Sequence, residues 1–259
     1  MRIAVVGGQG TVGNLVVSAA RASGHDVRSL SRSSGVDVAT GEGLEDALRG
    51  VEVAVDAAGI SSMRRQVVRG FFSGSARSLQ SAAARCGVGH LVVLSVVGCD
   101  LVRRLGYYDA KALQERRHLD GPVPATILRA TQFHEFAEQI APSRRERGGI
   151  VAVPRLLVQS VAARDVADRL LAAALAGPHR GRLPDVAGPP PPAWLPARCK
   201  AALARRGRDA RVVGVPILGA AGEAIAHGAL LPAADATIVG PSFEEWLDSA
   251  DGPAGRARA

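Results

Sequence analysis

The chain of 259 residues lacks most of the features that would commit it to a special environment. Its three cysteines, Cys86, Cys99 and Cys199, are an odd number without metal-ligand spacing, which excludes a disulfide framework and a zinc site. No window supplies the roughly 18 uninterrupted apolar residues that a membrane span requires. Aromatic residues are 3 % of the chain, and none form a stripe interleaved with basic groups of the kind that reads nucleic acid. Met1-Arg2 leads straight into an apolar run, so no signal peptide is expected ahead of it, and a reducing cytoplasm is the expected setting.

Lysine is scarce as well, and the net charge of +8 comes from arginines scattered through the chain. Only short clusters such as Arg144-Arg145 and Arg205-Arg206 break that dispersion, which disfavours direct nucleic-acid binding and fits a GC-rich genome. Anionic small molecules, a phosphorylated cofactor among them, still gain from such a field. No membrane partner is expected, and the oligomeric state is open.

What is present is a rhythm. Apolar runs at Ile3–Val6, Val27–Leu30, Val51–Val55, Leu91–Leu94 and Ala125–Leu128 read as strands, with a short further strand at Val36–Val38. Helical patterns lie between them at Gly43–Arg49, Phe71–Cys86 and Tyr107–Leu119, the second stopped by Gly87-Val88-Gly89. Such alternation implies an α/β fold, a doubly wound parallel sheet covered on both faces. Beyond residue 130 the rhythm loosens. A helix after Phe133, another over Ala163–Leu175, a stiff proline-rich stretch at Gly188–Pro192, a basic helix at Ala197–Arg206, a strand at Arg211–Val215 and a closing helix at Phe243–Leu247 are expected, with Asp251–Ala259 as a frayed tail. Residues 1–150 are thus expected to form a dinucleotide-binding domain, and 151–259 a small C-terminal substrate-binding part integrated with it.

The first strand breaks into Gly7-Gly8-Gln9-Gly10-Thr11-Val12-Gly13 before an amphipathic helix. Glycines at 7, 10 and 13 let the backbone turn tightly, approach a pyrophosphate and pack helix on strand, while the helix start offers amides to phosphate. At the end of the second strand, where a free ribose 2′-hydroxyl would usually meet an acid, stand Ser31 and Arg32. An arginine fork there suits a 2′-phosphate and predicts NADP(H) in preference to NAD(H). Asp37-Val38 and Asp56-Ala57-Ala58-Gly59 end the next two strands, where small residues keep a dinucleotide channel open; Asp56 is equally suited to cap its own loop.

Tyr107 and Lys111 are four apart and share a helix face, and an ammonium beside a phenol lowers its pKa toward the range useful for proton transfer. Ser95 ends the preceding strand at the sheet edge where open α/β sheets put their ligands, in a catalytic role or as a hydroxyl satisfying the strand end. His134 is a candidate substrate contact or the start of a polar helix face, and Trp194 and Trp246 read as packing anchors. Glu244-Glu245 suits a helix first turn, His118 receives no role, and no metal site is expected.

Together these residues resemble the atypical short-chain dehydrogenase/reductases, specifically the NmrA-like NAD(P)-binding proteins of bacteria. The resemblance runs through the glycine loop, Ser31-Arg32, the Asp37 segment, Leu94–Gly98, Tyr107–Lys111 and Leu128–Phe133. It implies a loop approaching the nicotinamide at Thr131, Gln132 and Phe133, and a variable substrate-binding part after about residue 150. The activity it implies is NADP(H)-dependent hydride transfer to or from a small carbonyl or enone substrate, with Tyr107, Lys111 and Ser95 as catalytic residues and Lys111 also binding the cofactor at its nicotinamide ribose. The alternative is a non-catalytic NADP(H)-binding redox sensor, since family members that have lost the active tyrosine act in that way. Val96 and Val97 stand where family enzymes place a further hydroxyl, which separates cofactor binding from proton relay.

Overall fold

A computed structural model describes residues 1–62, 64–143, 150–208 and 210–253. Arg144-Arg145 and most of the expected tail lie outside the described residues. In chain order the first elements are β1 (Arg2–Val6), α1 (Thr11–Ala22), β2 (Asp26–Leu30), α2 (Leu44–Leu48), β3 (Val53–Asp56), α3 (Arg65–Arg85), β4 (His90–Val96), α4 (Gly106–Leu119) and β5 (Ala125–Ala130). There follow α5 (His134–Ser143), β6 (Ile150–Pro154), β7 (Leu157–Val158), α6 (Ala163–Leu175), β8 (Gly181–Arg182), β9 (Val186–Ala187), β10 (Ala193–Trp194), α7 (Leu195–Arg205), β11 (Arg211–Val215), α8 (Ala220–Ala226), β12 (Thr237–Ile238) and α9 (Phe243–Asp248).

The chain divides into two compact units, Met1–Arg129 with Arg164–Leu183, and Ala130–Ala163 with Pro184–Ala259. In the first unit the strands run in the order β5-β4-β3-β1-β2, with β8 added in parallel on β5. β1 pairs in parallel with β2 on one side and β3 on the other, so the chain's winding reverses between β1 and β3. That reversal opens a crevice at the carboxyl ends of the two strands, the position where open α/β sheets bind ligands.

The strands form because their β-branched residues are buried from both faces: Ile3, Val5, Val53, Val55, Val92 and Val93 are all buried. Helix α1 turns Val12, Gly13, Val16, Val17 and Ala20 inward at helical spacing. Leu79, Ala82 and Ala83 of α3 pack with Leu44, Leu48, Leu91 and Ala125 in one core cluster. The C-terminal stop of α3 is as the glycine pattern predicts, with Cys86 as the cap and Gly87 at φ 69°.

Two local expectations are corrected. The strand at Val36–Val38 is absent; the segment makes a single isolated antiparallel bridge between Asp37 and Glu42. The reason is turn chemistry: the Asp37 carboxylate accepts the amides of Ala39 at 2.8 Å and Thr40 at 3.4 Å, curling the chain back between left-handed glycines at 35 and 41. Helix α3 begins at Arg65 rather than Phe71, because its first turns bury only Val68 and so carry no apolar periodicity to read.

In the second unit, β6 pairs in parallel with β11, β7 pairs antiparallel with β10, and β9 pairs in parallel with β12. The proline-rich stretch lies within this unit between β9 and β10; its first residue, Gly188, is pressed so closely on Ser160 that an added Cβ would sit 2.1 Å from the Ser160 carbonyl oxygen. Helix α9 starts with a reciprocal capping box between Ser242 and Glu245. No helix among the described residues is long and apolar enough to cross a membrane.

Candidate functional site

The glycine loop occupies the crevice of the first unit. Gly7 adopts φ +75° and donates its amide to the Leu30 carbonyl at 2.9 Å, and Gly10 donates to Gly7 at 2.8 Å. A Cβ on Gly7 would stand 2.8 Å from the Ala57 carbonyl oxygen, so the ends of β1 and β3 touch only because this residue is glycine. Gly13 is tighter still, its missing Cβ lying 2.2 Å from the Gly7 carbonyl oxygen, which lets α1 sit directly on the loop. Gly10 differs. It is exposed, has an ordinary φ of −77°, and caps α1 with no side chain to occupy the amides of the first turn. Those amides and the positive end of the helix dipole form the cradle a pyrophosphate fits. Thr11 and Val12 supply the first turn itself, Val12 buried and Thr11 at the surface.

Beside the loop, Ser31 caps a short turn over Arg32–Ser34. Its hydroxyl lies 2.9 Å from that of Ser33, which donates to the Gln9 side chain at 2.8 Å. This chain of small polar groups ties Gln9 of the glycine loop to the end of β2. Arg32 stands next to it, exposed, and among the described residues its guanidinium has no hydrogen bond or ion pair. Asp37 is committed to its own turn, and Val38 is buried. Ala57, Ala58 and Gly59 follow β3 as expected, and a Cβ on Gly59 would meet open space.

Ser95, Tyr107 and Lys111 lie in the same unit but in different circumstances. Ser95, the second-last residue of β4, is buried, and its Oγ has no hydrogen-bond partner among the described residues. A buried hydroxyl without a partner is unfavourable, so an added hydrogen-bonding group at this strand end would satisfy it. Tyr107 packs edge-on against Phe72, ring centroids 5.6 Å apart, and burial pushes its hydroxyl up to about 12. Lys111 is buried, its ammonium donating to the Leu94 carbonyl at 2.7 Å and to Gln114, and resting 4.7 Å from the centre of the Phe72 ring. Burial lowers its pKa, while Asp56 and Glu115 oppose that fall. The expected pairing, in which Lys111 lowers the pKa of Tyr107, is therefore corrected: the ammonium is turned to β4 and Gln114, and the phenol moves in the opposite direction.

That ammonium belongs to a buried polar chain which sequence reasoning missed. Gln114 donates to Asp56 at 2.9 Å, and His118 Nε2 lies 3.3 Å from the same carboxylate oxygen. Burial alone would raise the Asp56 pKa, but His118, Lys111 and the Ala58 amide hold it below its ordinary value. The signal was available: 111, 114 and 118 recur at helical spacing on the inner face of α4, which is polar where an amphipathic helix would be apolar. Asp56 also accepts the Ala58 amide at 3.0 Å, so its loop-capping reading holds.

Of the segment that resembles a nicotinamide loop, Arg129 ends the first unit, paired with Glu115 at 2.7 Å and Asp100 at 3.0 Å. Thr131, Gln132 and Phe133 belong to the second unit. Thr131 is buried and donates its amide to Val186 at 2.9 Å, Gln132 is buried, and Phe133 bridges in parallel to Val161. The substrate-contact reading of His134 is corrected. Its ring is buried between Phe243 and Trp246, with Nδ1 2.8 Å from the Ser160 hydroxyl and Nε2 3.2 Å from the Pro241 carbonyl, so neither nitrogen is left for a substrate. Because Pro241 only accepts, the neutral ring carries its proton on Nε2. Trp246 stacks on Phe243 with centroids 5.7 Å apart, the packing role expected of it.

No group of three or more histidine, cysteine or acidic side chains among the described residues is placed to hold a metal ion. Burial pushes the Cys99 and Cys199 thiols up to about 12, so they are poor nucleophiles.

No protein-family model matches the sequence, and no curated protein matches it. Solved structures do. MoeE5, in complex with UDP-glucose and NAD, is 15 % identical over the whole of both chains with a TM-score of 0.70. A short-chain dehydrogenase/reductase superfamily protein from Agrobacterium tumefaciens with bound NAD is 20 % identical, with a TM-score of 0.64 over 100 % of this chain and 97 % of its own. The dTDP-4-dehydrorhamnose reductase of Bacillus anthracis in complex with NADP is 13 % identical, with a TM-score of 0.66 over 98 % and 97 %. The chain has the Rossmann-type α/β fold of these NAD(P)-binding proteins.

Proposed function

We propose that this protein binds NADP(H) and transfers hydride between the nicotinamide and a small carbonyl or enone substrate, as an oxidoreductase of the atypical short-chain, NmrA-like type. The observation that carries the reading is the crevice between β1 and β3: Gly7 and Gly13 bring the loop against Ala57 and α1, and the uncapped start of α1 faces outward beside the unpaired Arg32. Gly7, Gln9, Gly10, Thr11, Val12 and Gly13 hold the pyrophosphate, and Arg32 with Ser31 receives the 2′-phosphate. The bound cofactor supplies or accepts the hydride.

The chain's own residues then manage the proton. Tyr107, with a phenol held protonated well above neutral pH, donates to the carbonyl oxygen as it gains charge, and Ser95 Oγ donates a hydrogen bond to the same oxygen. With its pKa raised, the phenol is in the protonated form that reduction needs throughout the neutral range. Lys111 fixes α4 to β4 and so sets where Tyr107 stands.

A second reading has one observation in its favour. Lys111 points to Leu94 and Gln114 and leaves Tyr107 without an activating cation, as suits an NADP(H)-binding sensor that performs no turnover. A panel of ketones, enones and quinones followed by NADPH absorbance separates the two. Turnover supports the reductase, and binding without turnover on any of them supports the sensor.

A further inference from the structure

We propose that the start of α3 and the loop entering α4 form a binding site for a multiply charged oxyanion, a phosphate or diphosphate group, held by Arg65, Arg69 and Arg103. Three guanidiniums converge there on one buried carboxylate, Asp109: Arg65 Nη2 at 3.1 Å and Arg69 Nη1 at 2.9 Å from Oδ2, and Arg103 Nε at 3.6 Å from Oδ1. One negative charge thus faces three positive ones, and two positive charges remain uncompensated within a few ångströms. Like charges about 4 Å apart repel by about 1 kcal/mol in water and by more near a protein surface, so the cluster favours an added anion.

The three side chains are also free to receive one. Each meets Asp109 through a single nitrogen, and their side chains are 59 %, 49 % and 53 % exposed. Their remaining N–H groups form the planar forks that match phosphate oxygens in charge and geometry. The convergence is built by the fold. Arg65 and Arg69 are four apart on one face of α3, and a Cβ at Gly106 would lie 3.0 Å from the Arg65 Cβ, so the start of α4 closes directly on Arg65. The chain neighbours Arg64 and Arg104 are exposed as well and add to the local field.

A compact anion fits better than a polyanionic chain, because the charges meet at a point rather than forming a stripe along a groove. The inference is independent of hydride transfer, and Arg32 plays no part in it.

The test is a calorimetric titration of the full chain with inorganic pyrophosphate at low salt, on the parent, Arg103→Gln, Arg65→Gln and Arg32→Ala, with circular dichroism to confirm that each is folded. The proposal predicts saturable binding that Arg103→Gln weakens by about tenfold, that Arg65→Gln weakens comparably, and that persists in Arg32→Ala. Arg103 is half exposed and has the longest of the three contacts, so its variant decides if Arg65→Gln does not fold. No saturable binding by the parent, binding unchanged in folded Arg103→Gln, or binding abolished by Arg32→Ala would overturn it.

Discussion

Lys111 donates its ammonium to the Leu94 carbonyl at 2.7 Å, clamping the inner face of α4 to β4 one residue before Ser95. In the same position the lysine holds Gln114, which holds Asp56, so one buried cation organises the strand end, the helix and the loop after β3. Replacing it with methionine removes the donor and leaves the Leu94 carbonyl and the Gln114 oxygen in competition for fewer partners. Lys111→Met should therefore lose about 1–3 kcal/mol of stability in urea unfolding, in addition to any effect on rate. A variant as stable as the parent would show that the clamp contributes nothing.

The Arg32 guanidinium has no partner among the described residues, and the Gly35 amide that its carbonyl accepts is a backbone contact alanine keeps, so Arg32→Ala should leave the fold intact. Hydrogen bonds to a charged group contribute about 1.5–3 kcal/mol, and Arg32→Ala should weaken NADPH by about ten- to a hundredfold while NADH binding stays near the parental value. Equal affinity of the parent for both dinucleotides, measured by fluorescence titration, would refute the 2′-phosphate assignment.

The glycines of the loop should separate into two kinds. At Gly13 a methyl would lie 2.2 Å from a backbone oxygen, so Gly13→Ala should destabilise the protein by about 1–3 kcal/mol. Gly10 is less crowded than Gly13, an added Cβ lying 3.2 Å from the Gly7 carbonyl oxygen, so that this oxygen must give by a few tenths of an ångström, and its φ is ordinary. Gly10→Val should lower the melting temperature less than Gly13→Ala does and lose stabilisation by NADPH, since its side chain stands where the pyrophosphate must approach. A Gly10→Val protein still stabilised by NADPH as strongly as the parent would reduce these glycines to turn formers.

His134 predicts an acid sensitivity. Burial pulls its pKa down to about 4 from the ordinary 6.5, against the opposing contact with Pro241. The unfolded chain therefore takes up this proton at a higher pH than the folded one. The contribution is fully present above about 6.5 and is lost as the pH falls toward 4, a total of up to about 3 kcal/mol. Urea midpoints measured across that window should fall more steeply for the parent than for His134→Gln; parallel curves would contradict the assignment.

The first unit was legible where its strands carry apolar runs, β-branched in β1 and β4 and mixed in β2 and β5, and α4 was legible from Tyr107 to Leu119. The segment around Val36 was misread because two buried valines flank an Asp37 turn, and side-chain capping overrode β propensity. The short pairs β7, β8, β9, β10 and β12 left no signal, being two residues each and held by neighbours distant in sequence. The tight turn at Gly7 and the close packing at Gly13 were legible because backbone geometry alone dictates them. The direction taken by Lys111 was not, since it depends on Gln114 and Asp56 arriving beside it from separate elements.

The most direct measurement of the central claim is the steady-state rate of NADPH oxidation with a carbonyl or enone substrate by the parent and by Tyr107→Phe, alongside NADPH affinity for both. Because the phenol stays protonated up to about 12, the parent's reductive rate should show no loss from Tyr107 across the neutral range. Tyr107→Phe should bind NADPH as the parent does and turn over about 10²–10⁴-fold more slowly, the contribution of a positioned general acid. A Tyr107→Phe enzyme as fast as the parent, or a parent that turns over none of the substrates, would contradict it.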